Sequence, residues 1–117
     1  MSEAGAYRVL QVFYRDYVNA VTIPSAQPEA LEADRIVPLA DRLLVAGDNF
    51  LGVVDRNDVI LQCYVADEPD DITLELVYPE ANGCLRLTLS RDKAMARLDT
   101  LPELFDEALL QGAQYID

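Results

Sequence analysis

The chain of 117 residues carries 21 aspartates and glutamates against nine lysines and arginines, and it contains no histidine. Its formal net charge of −12 opposes binding to nucleic acids and to anionic membranes, and it favours basic partners. The missing histidine removes the most frequent general base and a leading metal ligand, which argues against an enzyme.

The composition predicts a single domain over residues 1–117, with an ordinary core beneath an acidic surface. The hydrophobic fraction of 51% is that of a folded protein. The first residues lack the basic and apolar regions of a secretory signal, and no apolar run is long enough to span a bilayer. We therefore expect a cytoplasmic protein with two reduced thiols, Cys63 and Cys84.

The first third of the chain is the least regular. Residues 7–23 have helical spacing but strand-forming residue types, so we interpret 8–14 as a strand followed by an extended stretch, with a helix as the alternative. Residues 29–46 have a helical pattern that Pro38 interrupts. Gly47 then predicts a left-handed cap at the end of that helix.

The middle of the chain predicts four strands at residues 50–54, 59–65, 72–78 and 85–89. Turn-forming residues 55–58 join the first two strands, and Asn82-Gly83 marks the last connection. Alternating apolar residues in the last two strands indicate an antiparallel meander with one buried face.

The end of the chain predicts two helices. Ser90 is the expected cap of a helix over residues 91–98, and Thr100 with Glu103 forms a capping box before a second helix that ends at Gly112. The predicted fold is α+β, with helices packed on an antiparallel meander in two layers. The meander has four strands, or five if the first element is a strand.

Acidic residues are concentrated on the predicted turns, with seven acids and one base between Asp48 and Asp71. The candidate partner-binding residues are Asp55, Asp58, Asp67, Glu68, Asp70 and Asp71. The two groups should lie at opposite ends of one strand, which suits a large basic partner better than a catalytic pair. The alternative is that these acids are only solvated and bind no partner. The spacing of the acids does not fit a calcium-binding loop.

Catalytic, metal and cofactor sites have no candidates in the sequence. Cys63 shares the alternation of its apolar neighbours, so we interpret it as a small core residue. No glycine-rich phosphate loop occurs. Glu75 falls on the outward side of its strand, where we expect it to be exposed.

The block at residues 47–55, followed by 59–65, resembles the strand-turn-strand core of small acidic bacterial immunity proteins. The helical segment 90–110 after a meander is similar to that group too. The resemblance implies a bacterial, non-enzymatic protein that neutralises a toxin, and it assigns no residue a role. An alternative is a dimeric acidic secretion chaperone for an effector. A third is a small enzyme or ligand-binding domain that uses carboxylates only, and the oligomeric state stays open.

Overall fold

One antiparallel sheet organises the fold, which the computed structural model describes for residues 8–45, 47–68, 70–80 and 82–116. The strands are β1 (Val9–Asp16), β2 (Val21–Ile23), β3 (Glu29–Glu32), β4 (Phe50–Val54), β5 (Ile60–Val65), β6 (Asp71–Val77), β7 (Cys84–Ser90) and β8 (Gln114–Ile116). The α-helices are α1 (Ile36–Leu43) and α2 (Arg91–Asp99), and short 3-10 helices cover Ala33–Arg35 and Glu107–Leu110.

The strand order is β2-β1-β4-β5-β6-β7-β8, and β3 also pairs with β1. Every pairing is antiparallel, so the predicted α+β class and antiparallel meander are confirmed. The predicted count of four or five strands is wrong, because the described residues form eight. The strands that escaped prediction, β2, β3 and β8, are three or four residues long, too short to show an alternating pattern.

The first element is a strand, as we interpreted it, and it runs two residues beyond the predicted end at residue 14. The following stretch is not simply extended. A turn containing Ala20 in the left-handed region (φ 56) leads into β2, which folds back on β1 in the register Tyr14↔Ile23. The edge of β1 is therefore covered by two short strands placed end to end, β2 and β3.

Residues 29–46 do not form the predicted interrupted helix. The first four pair with β1, where Leu31 lies opposite Leu10, because the free edge of β1 needs hydrogen-bonding partners. Helix α1 begins only at Ile36, so Pro38 lies in its first turn, where a missing N–H costs no intrahelical bond. The predicted cap is also wrong, since Gly47 is not among the residues with positive φ.

The segment after α2 contains one short 3-10 helix where the capping box predicted a longer α-helix. Thr100 ends α2 and does not begin a new helix. The N–H of Phe105 donates to a carboxylate oxygen of Asp55 at 2.7 Å and so does not enter a helical hydrogen bond. Gly112, with φ 90, then turns the chain into β8.

The core lies between the two α-helices and one face of the sheet, which we call the inner face. Buried residues of α1 and α2 (Ile36, Leu39, Ala40, Leu43, Ala94, Leu98) pack against inner-face residues of the long strands (Leu10, Val12, Leu51, Val53, Leu61, Cys63, Ile72, Leu74, Leu76). Cys63 is fully buried there, as predicted. The opposite face, which we call the outer face, contributes no strand residue to this core.

Candidate functional site

The six candidate acids fall into two groups at opposite ends of β5, as the meander predicted. Strands β4, β5 and β6 are consecutive and antiparallel, so the connections on either side of β5 lie at opposite ends of the sheet. We call residues 55–58 the acidic turn, which holds Asp55 and Asp58. We call the described residues 67–68 and 70–71 the acidic loop, which holds Asp67, Glu68, Asp70 and Asp71.

In the acidic turn, Asp55 is directed into the protein and is only 4% exposed. Its Oδ1 accepts hydrogen bonds from the N–H groups of Asn57 at 2.8 Å and Val59 at 2.9 Å. Its Oδ2 accepts the N–H of Phe105 at 2.7 Å. The carboxylate holds the turn in shape and attaches the segment after α2 to the sheet, so a partner cannot reach it.

Asp58 is exposed, but it has a basic neighbour in the chain, Arg56, so the acidic turn is less negative than the acidic loop. It adopts a positive φ of 64, a conformation that aspartate tolerates better than most residues. The neighbouring Arg56 forms an ion pair with Glu103 at 3.2 Å. Both partners of that pair are well exposed, so it adds little stability, yet it places positive charge beside Asp58.

The acidic loop is closed by hydrogen bonds between backbone groups. The N–H of Ala66 donates to the carbonyl of Asp71 at 3.0 Å, and the N–H of Asp71 donates to the carbonyl of Glu68 at 2.9 Å. The N–H of Arg91 donates to the carbonyl of Asp70 at 2.9 Å, which anchors the loop to the start of α2. The main chain is thus held while the side chains of Asp67, Glu68 and Asp70 are left in solvent.

No basic side chain neutralises the acidic loop in the described part of the chain, where the ion pairs involve other carboxylates. The backbone of Arg91 is joined to the loop, but its guanidinium binds α1. It donates to the carbonyl of Leu44 and to the side chain of Asp41, the latter at 3.0 Å. The described residues of the loop therefore combine hydrogen-bonded backbone groups with negative charge that no ion pair of the described residues compensates.

A cleft of about 390 Å³ opens beside the acidic loop on the outer face. Its lining residues come from the loop and from the adjoining strands (Tyr64, Val65, Ala66, Asp67, Glu68, Asp71, Thr73, Arg86 and Thr88). The hydroxyls of Thr73 and Thr88 lie 2.9 Å apart and hydrogen-bond across β6 and β7. The cleft has an acidic rim, a hydroxyl-bearing floor and one arginine, Arg86.

A buried carboxylate lies next to this cleft, in a position where the sequence predicted exposure. Glu75 is 9% exposed, and its Oε2 accepts the hydroxyl of Tyr64 at 2.6 Å and the Nε–H of Arg86 at 2.7 Å. Burial, and then the hydrogen bond to Glu75, raise the pKa of Tyr64 to about 12, so its phenol stays protonated and donates. The hydrogen bond to Glu75 also raises the pKa of Arg86.

Sequence reasoning missed this cluster because it treated strand positions singly. Glu75 and Arg86 are directly opposite each other in the pairing of β6 and β7, and Gln62 of β5 is the residue opposite Glu75 on its other side. A register assigned to the two predicted strands would have revealed the opposed charges. The partner Tyr64 comes from the next row and could not be identified in that way.

The end of the sheet that carries the acidic loop also presents exposed apolar side chains. We call it the loop end; it includes the β1–β2 turn, because β1 and β5 run in the same direction. Tyr17 is 53% exposed, Val18 68% and Val45 67%. The buried Asn49 joins these segments, accepting the N–H of Tyr17 at 2.8 Å and donating to the carbonyl of Leu43 at 2.9 Å.

Asp16 is buried next to Asn49, and we call these two hydrogen-bonded residues the Asp16–Asn49 junction. Asp16 is 4% exposed, and its oxygens accept from the side chains of Asn19 at 2.8 Å and Asn49 at 3.2 Å. The hydrogen bond from Asn19 lowers the pKa of Asp16 below its usual value, so the carboxylate is charged at neutral pH. Exposed Tyr17 and Val18 are therefore carried by a hydrogen-bonded turn.

The described residues contain neither a metal-binding group nor a membrane-spanning helix. Within ranges 8–45, 47–68, 70–80 and 82–116, no three His, Cys, Asp or Glu side chains are grouped so as to hold a metal ion. Across the same part of the chain, no helix has both the length and the apolar character needed to cross a bilayer.

Comparison of the chain with family models, with curated proteins and with solved structures finds no match.

Proposed function

We propose that this chain is a non-enzymatic protein-binding module whose acidic loop docks against a basic site of another protein. The role that best fits this activity is that of a bacterial immunity protein, an inhibitor that covers the basic active site of a toxin. Toxins that act on nucleic acids need a basic cleft to hold phosphates, and an acidic surface is complementary to such a cleft.

The observation that carries the proposal is the construction of the acidic loop. Three exposed carboxylates, those of Asp67, Glu68 and Asp70, stand on a backbone that hydrogen bonds close and anchor. Backbone groups that are already hydrogen-bonded lose less conformational freedom on binding, and charge without internal partners is available to attract a basic protein. The candidate set is now Asp58, Asp67, Glu68, Asp70 and Asp71, because Asp55 is engaged inside the protein.

The exposed apolar side chains of the loop end support the same proposal. Charges at an interface mainly speed association and select partners, whereas buried aromatic and aliphatic side chains supply much of the binding free energy. Tyr17 and Val18 stand at the same end of the sheet as the acidic loop and are held by the Asp16–Asn49 junction. We expect them to act as anchors around which the acidic loop provides steering.

Two other functions remain as alternatives. A dimeric secretion chaperone would use the same acidic surface to hold an effector, so the identity of the partner separates it from an immunity protein. A small enzyme or ligand-binding domain would centre on Glu75, the buried carboxylate beside the outer-face cleft. Both of its close contacts, to Tyr64 and Arg86, are explained by a role in holding the sheet together.

The proposal is tested by toxicity rescue. The protein encoded by the neighbouring gene is expressed in a susceptible bacterium with this chain or with the triple variant Asp67→Lys, Glu68→Lys, Asp70→Lys. The unaltered chain should restore growth, and the triple variant should fail to do so. A matched control, Glu29→Lys, Glu80→Lys, Asp99→Lys, changes three exposed acids away from the acidic loop and should rescue as well as the unaltered chain.

The two variants have the same formal charge, since three changes of +2 each raise −12 to −6 in both. A difference between them thus reports the position of the acids and not the total charge. Equal rescue by both would place the interface elsewhere. A neighbouring protein that is not toxic and is exported together with this chain would favour the secretion chaperone.

A further inference from the structure

The outer face of the sheet carries an apolar stripe that no element in the described ranges covers. Five consecutive strands place one apolar or thiol side chain each in register across it (Val54, Ile60, Val77, Cys84 and Ile116). All five are half-buried by their neighbours. A sheet face that met only water would be expected to carry polar side chains at these positions.

Aromatic side chains extend this apolar area toward β1. Phe13 lies over Gly52 of the neighbouring strand, where a Cβ atom would come within 2.1 Å of the phenyl ring, so the close approach requires glycine. Phe13 also meets Phe50 edge to face, with ring centroids 6.4 Å apart. Phe13 is 7% exposed although the helices are on the opposite side of the sheet.

The outer face also differs from the rest of the surface in charge. On the described strands, its ionisable acids and bases are Arg15, Glu32, Asp71, Glu75 and Arg86, whose formal charges add up to −1. The whole chain has a formal charge of −12. The charge of Glu75, near the centre, is matched by Arg86 at 2.7 Å, so this part of the face can lose water without leaving an unpaired carboxylate.

We propose that the outer face is the contact surface between two copies of this chain. A second copy fits better than a basic partner, because this face carries a formal charge of only −1 on its strands and so attracts a basic protein weakly. It is also the broad surface on which two strongly anionic molecules meet with the least repulsion. The acidic loop borders the outer-face cleft at one end of the strands, whereas the apolar stripe lies at the other end, next to the acidic turn. A contact centred on the stripe therefore leaves the acidic loop accessible to the proposed partner.

The size of the face agrees with a reversible dimer. Seven strands about 4.8 Å apart and about six residues long present a face of roughly 29 Å by 20 Å. Two such faces bury on the order of 1,200 Å², which is the lower end of the range for specific interfaces. We therefore expect a dimer that dissociates on dilution.

The mass in solution, measured by sedimentation over protein concentrations from about 1 to about 500 μM, tests the proposal. The unaltered chain should move from 13.0 kDa toward twice that mass as its concentration rises. The double variant Ile60→Lys, Val77→Lys should stay monomeric, since the dimer would bury two ammonium groups per copy. Its charge is less negative than that of the unaltered chain, so general repulsion cannot explain the loss.

Two controls make the mass measurement specific to the outer face. Val18→Lys adds the same type of charge at a 68% exposed position of the β1–β2 turn and should leave the dimer intact. Cys84 belongs to the stripe, so in the unaltered chain its alkylation rate should fall several-fold as dimers form. If the double variant does not fold, the alkylation rate of Cys84 in the unaltered chain still tests the proposed dimer contact.

Salt separates this proposal from the proposed function. Screening weakens repulsion between two anionic copies, so the dimer should strengthen with added salt, whereas docking of a basic partner should weaken. A monomer at every concentration overturns the proposal. A dimer in which Cys84 stays equally reactive also overturns it, because the contact would then lie on another surface. Neither result bears on the acidic loop.

Discussion

The acidic turn and the acidic loop are built from the same residue types at the two ends of one strand, yet they use their carboxylates in opposite ways. In the turn, Asp55 accepts three backbone hydrogen bonds and is 4% exposed. In the loop, backbone groups satisfy one another, and Asp67, Glu68 and Asp70 remain in solvent. The supply of backbone N–H donors decides which acids are structural.

This difference gives a general way to read acidic segments. A carboxylate accepts hydrogen bonds and can organise a turn when nearby amides lack other partners, as the amides of Asn57, Val59 and Phe105 do. Where the main chain closes on itself, the carboxylates are left to interact with solvent or with another molecule. Counting acids in the sequence does not separate the two cases.

The largest expected effect is on stability at the acidic turn. Asp55→Ala removes the acceptor of three N–H groups, including the buried one of Phe105, and should lower the free energy of unfolding by about 3 kcal/mol. Urea denaturation measures this loss. Asp58→Asn, which keeps a residue that tolerates positive φ, should change it by less than about 0.5 kcal/mol. Equal stability of both variants would contradict the structural role of Asp55.

The second effect concerns Glu75. Its side chain is 12% exposed, so its exposure is intermediate between that of Asp55 and that of the loop acids. Glu75→Gln removes the charge that Tyr64 and Arg86 contact and should cost about 1 kcal/mol, discounted because Arg86 is 43% exposed. It should also lower the pKa of Tyr64 from about 12 by part of the shift only, because burial, the larger cause, persists in the variant; tyrosinate absorbance follows the change. An unchanged tyrosine titration would show that Glu75 does not bind Tyr64.

The third effect is a loss of stability in alkali. Burial raises the pKa of Cys63 from 9.0 to about 12, so the folded protein holds a proton that the unfolded chain releases. This contribution is fully present below about pH 9 and is lost as the pH rises through 12, at up to about 1.4 kcal/mol per pH unit. Tyr64 adds a smaller part above pH 10.

Urea midpoints between about pH 8 and pH 11 follow this loss, and Cys63→Ala removes the thiol's part of it. The slope of stability against pH should therefore be shallower in the variant, whatever its stability at neutral pH. The same slope in both proteins would mean that Cys63 titrates normally and is not enclosed in the core.

The smallest expected effect is on the stability of the acidic-loop variant. Asp67→Lys, Glu68→Lys, Asp70→Lys should change the free energy of unfolding by less than about 0.5 kcal/mol, because these exposed side chains hold no other group. Thermal unfolding provides the measurement. A loss comparable to that of Asp55→Ala would mean that the loop acids are structural as well, and the contrast between the two segments would disappear.

The sequence predicted those helices and strands that local residues specify. It did not predict those that depend on contacts with residues distant in the chain. The hairpins of β4 to β7 and the Ser90-capped α2 were predicted because alternation, turn residues and a cap are local signals. Residues 29–32 were predicted as helix but complete the edge of β1, and the stretch around Phe105 is held by Asp55, fifty positions away. Such pairings are invisible to a local pattern.

The candidate site was predictable to a similar degree. The placement of the two acidic groups at opposite ends of β5 followed from the meander alone. The burial of Asp55 depends on Phe105, and the cluster around Glu75 depends on the register of three strands. Composition therefore predicted an acidic surface but could not separate the exposed acids from the structural ones.

The most direct test of the central claim is the rate at which this chain associates with the protein that it rescues cells from in the toxicity experiment, measured by stopped-flow at low and at high salt. Reversal of Asp67, Glu68 and Asp70 should slow association by tenfold or more at low salt, and added salt should reduce that difference. The control variant at Glu29, Glu80 and Asp99 should slow it far less. Equal rates for the two variants would contradict docking through the acidic loop.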